Sequence, residues 1–332
     1  MKQTIMLLTL LTLFYVREYN SAQENILEPQ RLEVISPENA ANLELLLPLE
    51  GGLPIAELAL VQDAVNYRLV VALNSGSVEL WYINNPAIQA QLGEHNGTVI
   101  SIASSHDLVA TGGRDGVINL WNLQQGDESR QLVGNFTTVW GLAFSPSNSD
   151  VLAVAEQAGT VSLWDIQTGE IVNSVTSFIP FIDVAFAPDG ELMAIGDTAG
   201  VRFYEFDGFS EIRDMVIIDT PVGDADFNYT GKLLIVRGDD GSVTVWDLVN
   251  ETSTTVASYV PIHIAVSPVE DLLFIGYEGK TQAWDLETMQ TVVELPLNSD
   301  EPTSLTISTD GKLLAIGYTS GAIELWGIPS DG

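Results

Sequence analysis

Short stretches in which apolar and polar residues alternate recur along the chain. GSVELW ends at Trp81, GVINLW at Trp121, GTVSLW at Trp164, GSVTVW at Trp246 and GAIELW at Trp326. A period of two places every second side chain on one face, the signature of a strand half-buried against a neighbour. Just before the glycine of each stretch comes a continuous apolar run, among them LVVAL from Leu69, VLAVA from Val151 and LLAIG from Leu313. Runs of that length bounded by turn residues predict strands covered on both faces. Earlier still are the turns Pro188-Asp189-Gly190, Thr230-Gly231 and Asp310-Gly311, preceded by apolar segments such as GLAFSP, DVAFAP and HIAVSP. Each unit therefore reads as three strands followed by a fourth that leads to the next unit. No helical period appears after the first residues.

The units repeat. Trp81, Trp121, Trp164, Tyr204, Trp246, Trp284 and Trp326 stand 38 to 43 residues apart. Six of these aromatics follow a glycine by five residues, and Tyr204 follows Gly200 by four. A tight hairpin needs a residue that tolerates positive φ, which glycine does at no steric cost. A period near 40 residues with a terminal Trp predicts blades arranged round an axis, because one small sheet cannot bury both faces alone. The last unit ends at Ile328 and leaves no room for its own outer strand. The segment LLLPLEGG from Leu45 resembles VELPLNSD from Val293, the outer-strand region of the sixth unit. Residues near Leu43 to Leu49 are therefore expected to pair with the seventh blade, closing the ring and covering its sheet edge.

On these residues the chain resembles the WD-repeat β-propeller family over roughly residues 40 to 328. The resemblance rests on the pairs Trp164-Asp165, Trp246-Asp247 and Trp284-Asp285, the variants Trp121-Asn122 and Trp81-Tyr82, and the turn sequences. It implies an all-β, seven-bladed β-propeller over residues 39–328, with the N-terminal strand completing the last blade. It also implies a buried structural network of His95, Thr111, Asp115 and Trp121 in the second unit, while most other units lack the histidine and rely on apolar packing. The face bearing the glycine hairpins is the usual contact surface of such proteins. Trp140, the tryptophan outside the periodic set, falls beside that face and is a candidate binding anchor. Arg114, Phe136, Phe178 and Arg237 align to the same loops, as do Tyr259, Tyr277 and Tyr318.

The 332 residues are 46% hydrophobic and 17% charged, the balance of a folded chain and not of a disordered one. The formal net charge is −33, from 45 acidic and 12 basic residues. A surface this negative repels phosphate backbones and anionic membranes, so nucleic acid is not an expected partner. With no cysteine there are no disulfides, thiolate metal sites or cysteine nucleophiles. Lys2, the apolar run Ile5 to Val16 and the small pair Ser21-Ala22 read as a secretory signal over residues 1–22, with an uncleaved tether as the alternative. Residues 23–38 read as a polar linker and 329–332 as a tail. The expected location is extracellular or periplasmic.

No GxSxG elbow, HExxH pair, P-loop or dinucleotide glycine fingerprint occurs, and no cofactor is expected. One column of the innermost strands holds Glu57, Ser101, Gly141, Asp183, Asp224, His263 and Ser304. Glu57, Asp183 and Asp224, joined by Asp226 and His263, would face the axis and offer oxygen ligands to a hard cation. Polar channel lining, or hydrogen bonding inside the blades, accounts for the same residues. Arg237-Gly238-Asp239 overlaps a hairpin that needs Gly and Asp in any case. Asn96, Asn135, Asn228 and Asn250 open Asn-x-Thr triplets that matter only in a glycosylating host. The expected function is a secreted scaffold that binds a protein or peptide through its loop face and axial region. A propeller enzyme of the lactonase or hydrolase type with an axial metal, and an architectural part of an envelope or surface assembly, are the alternatives.

Overall fold

A computed structural model describes residues 31–62, 66–84, 89–124, 128–134, 137–206, 211–217, 221–257, 263–296 and 300–330. The strand that opens the described fold, β1 (Glu44–Glu50), belongs to the last blade. The first blade follows with β2 (Ile55–Gln62), β3 (Tyr67–Leu73), β4 (Ser77–Tyr82) and β5 (Gln89–Glu94). The second holds β6 (Val99–Ser105), β7 (Leu108–Gly113), β8 (Ile118–Asn122) and β9 (Glu128–Leu132). The third holds β10 (Val139–Phe144), β11 (Val151–Glu156), β12 (Thr160–Asp165) and β13 (Glu170–Thr176). The fourth runs β14 (Phe181–Phe186), β15 (Leu192–Asp197), β16 (Gly200–Glu205) and β17 (Glu211–Ile217). The fifth runs β18 (Val222–Phe227), β19 (Leu233–Gly238), β20 (Val243–Asp247) and β21 (Thr252–Ala257). The sixth is β22 (His263–Val266), β23 (Leu272–Tyr277), β24 (Lys280–Asp285) and β25 (Gln290–Pro296), and the seventh β26 (Pro302–Ile307), β27 (Leu313–Tyr318) and β28 (Ala322–Gly327).

Each blade is an antiparallel sheet in chain order, and β1 completes the seventh as its outermost strand beside β28. The seven-bladed ring closes where the sequence places the closure: Leu45 lies opposite Trp326 and Leu49 opposite Ile323. The inner strands contact one another in succession, and β26 meets β2 to shut the circle. The second strand of a blade is the most enclosed. β3, β11, β23 and β27 are buried at every position because both faces meet a neighbouring blade. Outer strands such as β13 are mostly exposed.

The periodic aromatic has a structural cause. Each one wedges into the apolar seam shared with the preceding blade. Trp121 packs with Ala59 and Val70 of the first blade, Trp164 with Ala110 and Leu120 of the second, and Trp81 with Leu313 and Leu325 of the seventh. Tyr204 fills the same wedge in the fourth blade and is 3% exposed. Seven seams need seven wedges, which is why the aromatic recurs once per unit. At Gly76 the backbone adopts φ +97°, and an added Cβ would lie 2.3 Å from the His95 carbonyl oxygen, so only glycine fits that hairpin.

The described half of the expected linker is packed. Leu32 and Ile35 are buried, Ile35 against Phe274 and Leu314 at the junction of blades six and seven. The Glu33 N–H donates to Ile328 O at 2.9 Å and the Ile35 N–H to Gly311 O at 2.9 Å. Leu32 bridges Pro329, and the Ser330 N–H reaches Arg31 O, so the start of the expected tail is anchored as well. An apolar pair spaced three residues apart in a polar stretch carried this contact and was too short to show as an element. The signal segment over 1–22 lies outside the described residues. Among those described, no helix is long and apolar enough to cross a membrane.

Candidate functional site

Antiparallel order within a blade sends the turn between second and third strands, and the loop to the next blade, to one face of the ring. This hairpin face surrounds one mouth of an axial cavity of about 1040 Å³. Trp140, near the start of β10, lines the cavity and is partly exposed. Phe178, in the loop before β14, is fully exposed at 109%, and Val133, in the loop before β10, is 88% exposed. These two apolar side chains stand over neighbouring blade junctions, and Leu53 adds a third at 51% on the same face. Nothing in the sequence separates Val133 and Leu53 from other loop hydrophobes, since exposure there depends on where the loop rests.

The remaining loop candidates divide. Arg114 is exposed on its hairpin. Tyr318 is fully buried and donates to Glu324 Oε2 at 2.8 Å, so it is a core residue and not a contact residue. Tyr277 is also buried, its ring packed between blades and Lys280 Nζ 5.6 Å from its centroid. Each is the last residue of a strand that neighbouring blades cover on both faces, so its ring lies in a seam and not in the loop that follows. Arg237 lines the cavity, where its Nε donates to Asp224 Oδ2 at 2.6 Å. Phe136 and Tyr259 lie outside the described residues.

His95, Thr111, Asp115 and Trp121 come together as one chain of hydrogen bonds. Trp121 Nε1 donates to Thr111 Oγ1 at 3.1 Å; Thr111 Oγ1 lies 2.9 Å from His95 Nε2, and His95 Nδ1 lies 3.1 Å from Asp115 Oδ1. Asn119 Nδ2, 3.0 Å from His95 Nε2, joins it. With Nε2 as the shared acceptor, the proton sits on Nδ1 and faces the carboxylate. Asp115 also accepts from the backbone of Asn96 at 2.8 Å and Val117 at 3.1 Å, pinning two loops of the hairpin face. Burial alone would raise the Asp115 carboxyl, and the bonds from His95, Val117 and Asn96 outweigh it and hold it below its usual range. The arrangement is a scaffold: every polar atom of the histidine is spent inside the blade. Other blades substitute locally, the indole donating to the residue two positions earlier: Trp81 to Glu79, Trp164 to Ser162 and Trp326 to Glu324.

Among the described residues no three His, Cys, Asp or Glu side chains converge as cation ligands. Glu57 Oε1 accepts from Ser304 Oγ at 2.6 Å, Asp183 takes two backbone N–H groups, and Asp224 is held by Arg237. Six inner strands carry a register shift immediately before the column residue. A bulge leaves the next N–H unpaired by the ladder. In three seams the column side chain of the preceding blade supplies the missing acceptor. Ser304 Oγ accepts from Leu58 N at 3.1 Å, Ser101 Oγ from Leu142 N at 3.0 Å and Asp183 Oδ2 from Ala225 N at 2.8 Å. These side chains join blades, a role that a reading of polar channel lining does not reveal.

Three stretches of the sequence, residues 87–122, 126–165 and 218–247, match the family WD40, described as WD domain, G-beta repeat. Those repeats sit on a closed ring of seven four-stranded blades, so the chain is a seven-bladed β-propeller that carries WD40 repeats. It is similar to mouse telomerase protein component 1, 28% identical over 65% of this chain and 8% of that protein. It is similar to the target of rapamycin complex subunit wat1 of Schizosaccharomyces pombe, 28% identical over 43% of this chain and 48% of that one. Small ribosomal subunit protein RACK1y of rice is 37% identical over 21% of this chain and 21% of its own length. The chain thus spans less than half the length of each of these relatives.

Proposed function

We propose that this propeller is an interaction scaffold whose hairpin face and axial mouth take a protein or peptide partner. The observation that carries the reading is Phe178, an aromatic side chain left wholly in solvent one junction away from the equally bare Val133. Large apolar groups clustered on an otherwise polar face mark contact surfaces, and aromatics dominate the binding energy of such surfaces. The rigid ring keeps stability separate from recognition, because the loops carry little of the core. The names of the relatives point the same way, since a complex subunit and a ribosomal subunit protein both work inside assemblies.

The same proposal includes export, on the strength of Lys2, the apolar run Ile5 to Val16 and Ser21-Ala22. The high negative charge favours a partner with basic residues over nucleic acid. An axial-metal hydrolase would need acids converging on one point, and the column carboxylates are instead committed to hydrogen bonds. The test is affinity capture from the extracytoplasmic fraction of the native source with wild type, Phe178→Ala and Trp140→Ala. Loss of one protein with both variants supports the hairpin face. Equal recovery with all three baits overturns it.

A further inference from the structure

The three blade junctions closed by a column side chain are not chemically alike. Two use a serine hydroxyl, Ser101 and Ser304, and one uses a carboxylate, Asp183. Asp183 accepts from Val184 N through Oδ1 and from Ala225 N through Oδ2, both at 2.8 Å, so one oxygen is held within β14 while the other ties it to β18. The strand it reaches carries two more carboxylates, Asp224 and Asp226, on the same channel wall. One guanidinium, Arg237 of β19, bonds Asp224 and interacts with Asp183. From β10 the neighbour is Gly141, and opposite Asp183 in its own sheet stands Gly196, neither of them charged. Elsewhere on the channel wall, Glu57 and His263 interact with one another and Asp239 with Arg237.

We infer that the junction of the fourth and fifth blades is a pH-responsive joint, in which Asp183 gains and loses a proton while the serine-closed junctions stay unchanged. Burial pushes the Asp183 carboxyl up to about 7, with the charges of Asp224 and Asp226 adding to it and the two backbone bonds opposing it. Asp226 moves in the same direction, from its confinement in the channel and from Asp224. The sign of the linkage follows. The folded chain holds the Asp183 proton below about 7 and the unfolded chain only below its ordinary value of 3.8, so folding takes up a proton between those limits. Stability from this group is therefore greatest on the acid side of that window and declines as pH rises through it. Above it, the wall of the channel that Trp140 also lines carries one more negative charge.

The full chain tests this by thermal melting between pH 5 and pH 8.5, alongside Asp183→Ser, which installs the hydroxyl closure of the other two junctions. The wild-type Tm should fall by several degrees more across the window than that of Asp183→Ser, whose profile should keep only the smaller step that Asp226 gives. Carboxyl carbon NMR should show two aspartates with midpoints well above the usual carboxylate range, of which the Asp183 midpoint is absent from Asp183→Ser. Asp226→Asn should move that midpoint down, which keeps the test decisive should the serine variant fold poorly. Parallel melting profiles for wild type and Asp183→Ser, or no aspartate titrating above about pH 5.5, where ordinary carboxyls are already ionised, would overturn the joint.

Discussion

Replacing His95 with alanine tests the second blade where its polar chain is most concentrated. The imidazole is 5% exposed, and its removal takes the Nδ1 donor from Asp115 and the shared acceptor from Thr111 and Asn119. Asp115 keeps its bonds from Asn96 and Val117, so it loses one partner of three. Thr111 is fully buried and still accepts from Trp121, so the unmet group there is its hydroxyl proton. A buried polar group left without its partner costs about 1–3 kcal/mol. Solvent reaching in from the loop face relieves part of the loss at Asp115, so the net destabilisation is placed at about 2–3 kcal/mol. For a ring of this size that corresponds to a fall in Tm of about 3–6 °C. Thermal melting followed by circular dichroism near 218 nm, where strand signal is strongest, reads it directly. A double-mutant cycle with Asp115→Ala should return a coupling of about 1–2 kcal/mol, the range expected of groups in one network. A His95→Ala protein that melts with wild type would refute the claim that this chain of bonds stabilises the blade.

Two further substitutions address the seams. Ile35→Ala removes a fully buried side chain from the junction of blades six and seven and should cost about 2–4 kcal/mol, measured by urea denaturation; a change below about 0.5 kcal/mol, the level of an ordinary surface substitution, would mean residues 31–38 lie loose after all. Glu324→Ala leaves the buried Tyr318 hydroxyl and Trp326 indole N–H without their common acceptor and should lower stability by about 2–4 kcal/mol, with Glu324→Gln recovering much of it. Equal losses in the two variants would show that the carboxylate charge, and not a neutral oxygen acceptor, is what Glu324 supplies.

Fold and closure were legible because they rest on repetition. One alternating strand is ambiguous, whereas seven with an aromatic and a glycine in fixed register admit few arrangements. The segment around Leu45 was identifiable because its pattern copies an outer strand already seen at Val293. The His95 network could be read because its four residue types occur together in a single unit. Other features depend on three-dimensional relations that spacing does not encode. The column of Glu57, Ser101, Asp183 and Ser304 was recognisable as a set, yet whether it faced a cation or a neighbouring blade turned on bulges that free individual N–H groups. Tyr277 and Tyr318 looked like loop residues because a strand end and a hairpin start share the same composition. Ile35 and Leu32 were hidden by a polar context. The acceptor two positions before Trp81, Trp164 and Trp326 did leave a trace, as Glu79, Ser162 and Glu324 hold polar positions of the alternation on the same strand face as the tryptophan.

Recognition through the hairpin face is the claim on which the functional account stands. Hydrogen–deuterium exchange of the full chain, free and bound to the captured partner, tests it most directly. Protection should concentrate in residues 128–144 and 174–186, which carry Trp140 on the axial cavity and Val133 and Phe178 on the hairpin face. Protection confined to the opposite face, around residues 228–232 and 247–252, would contradict it.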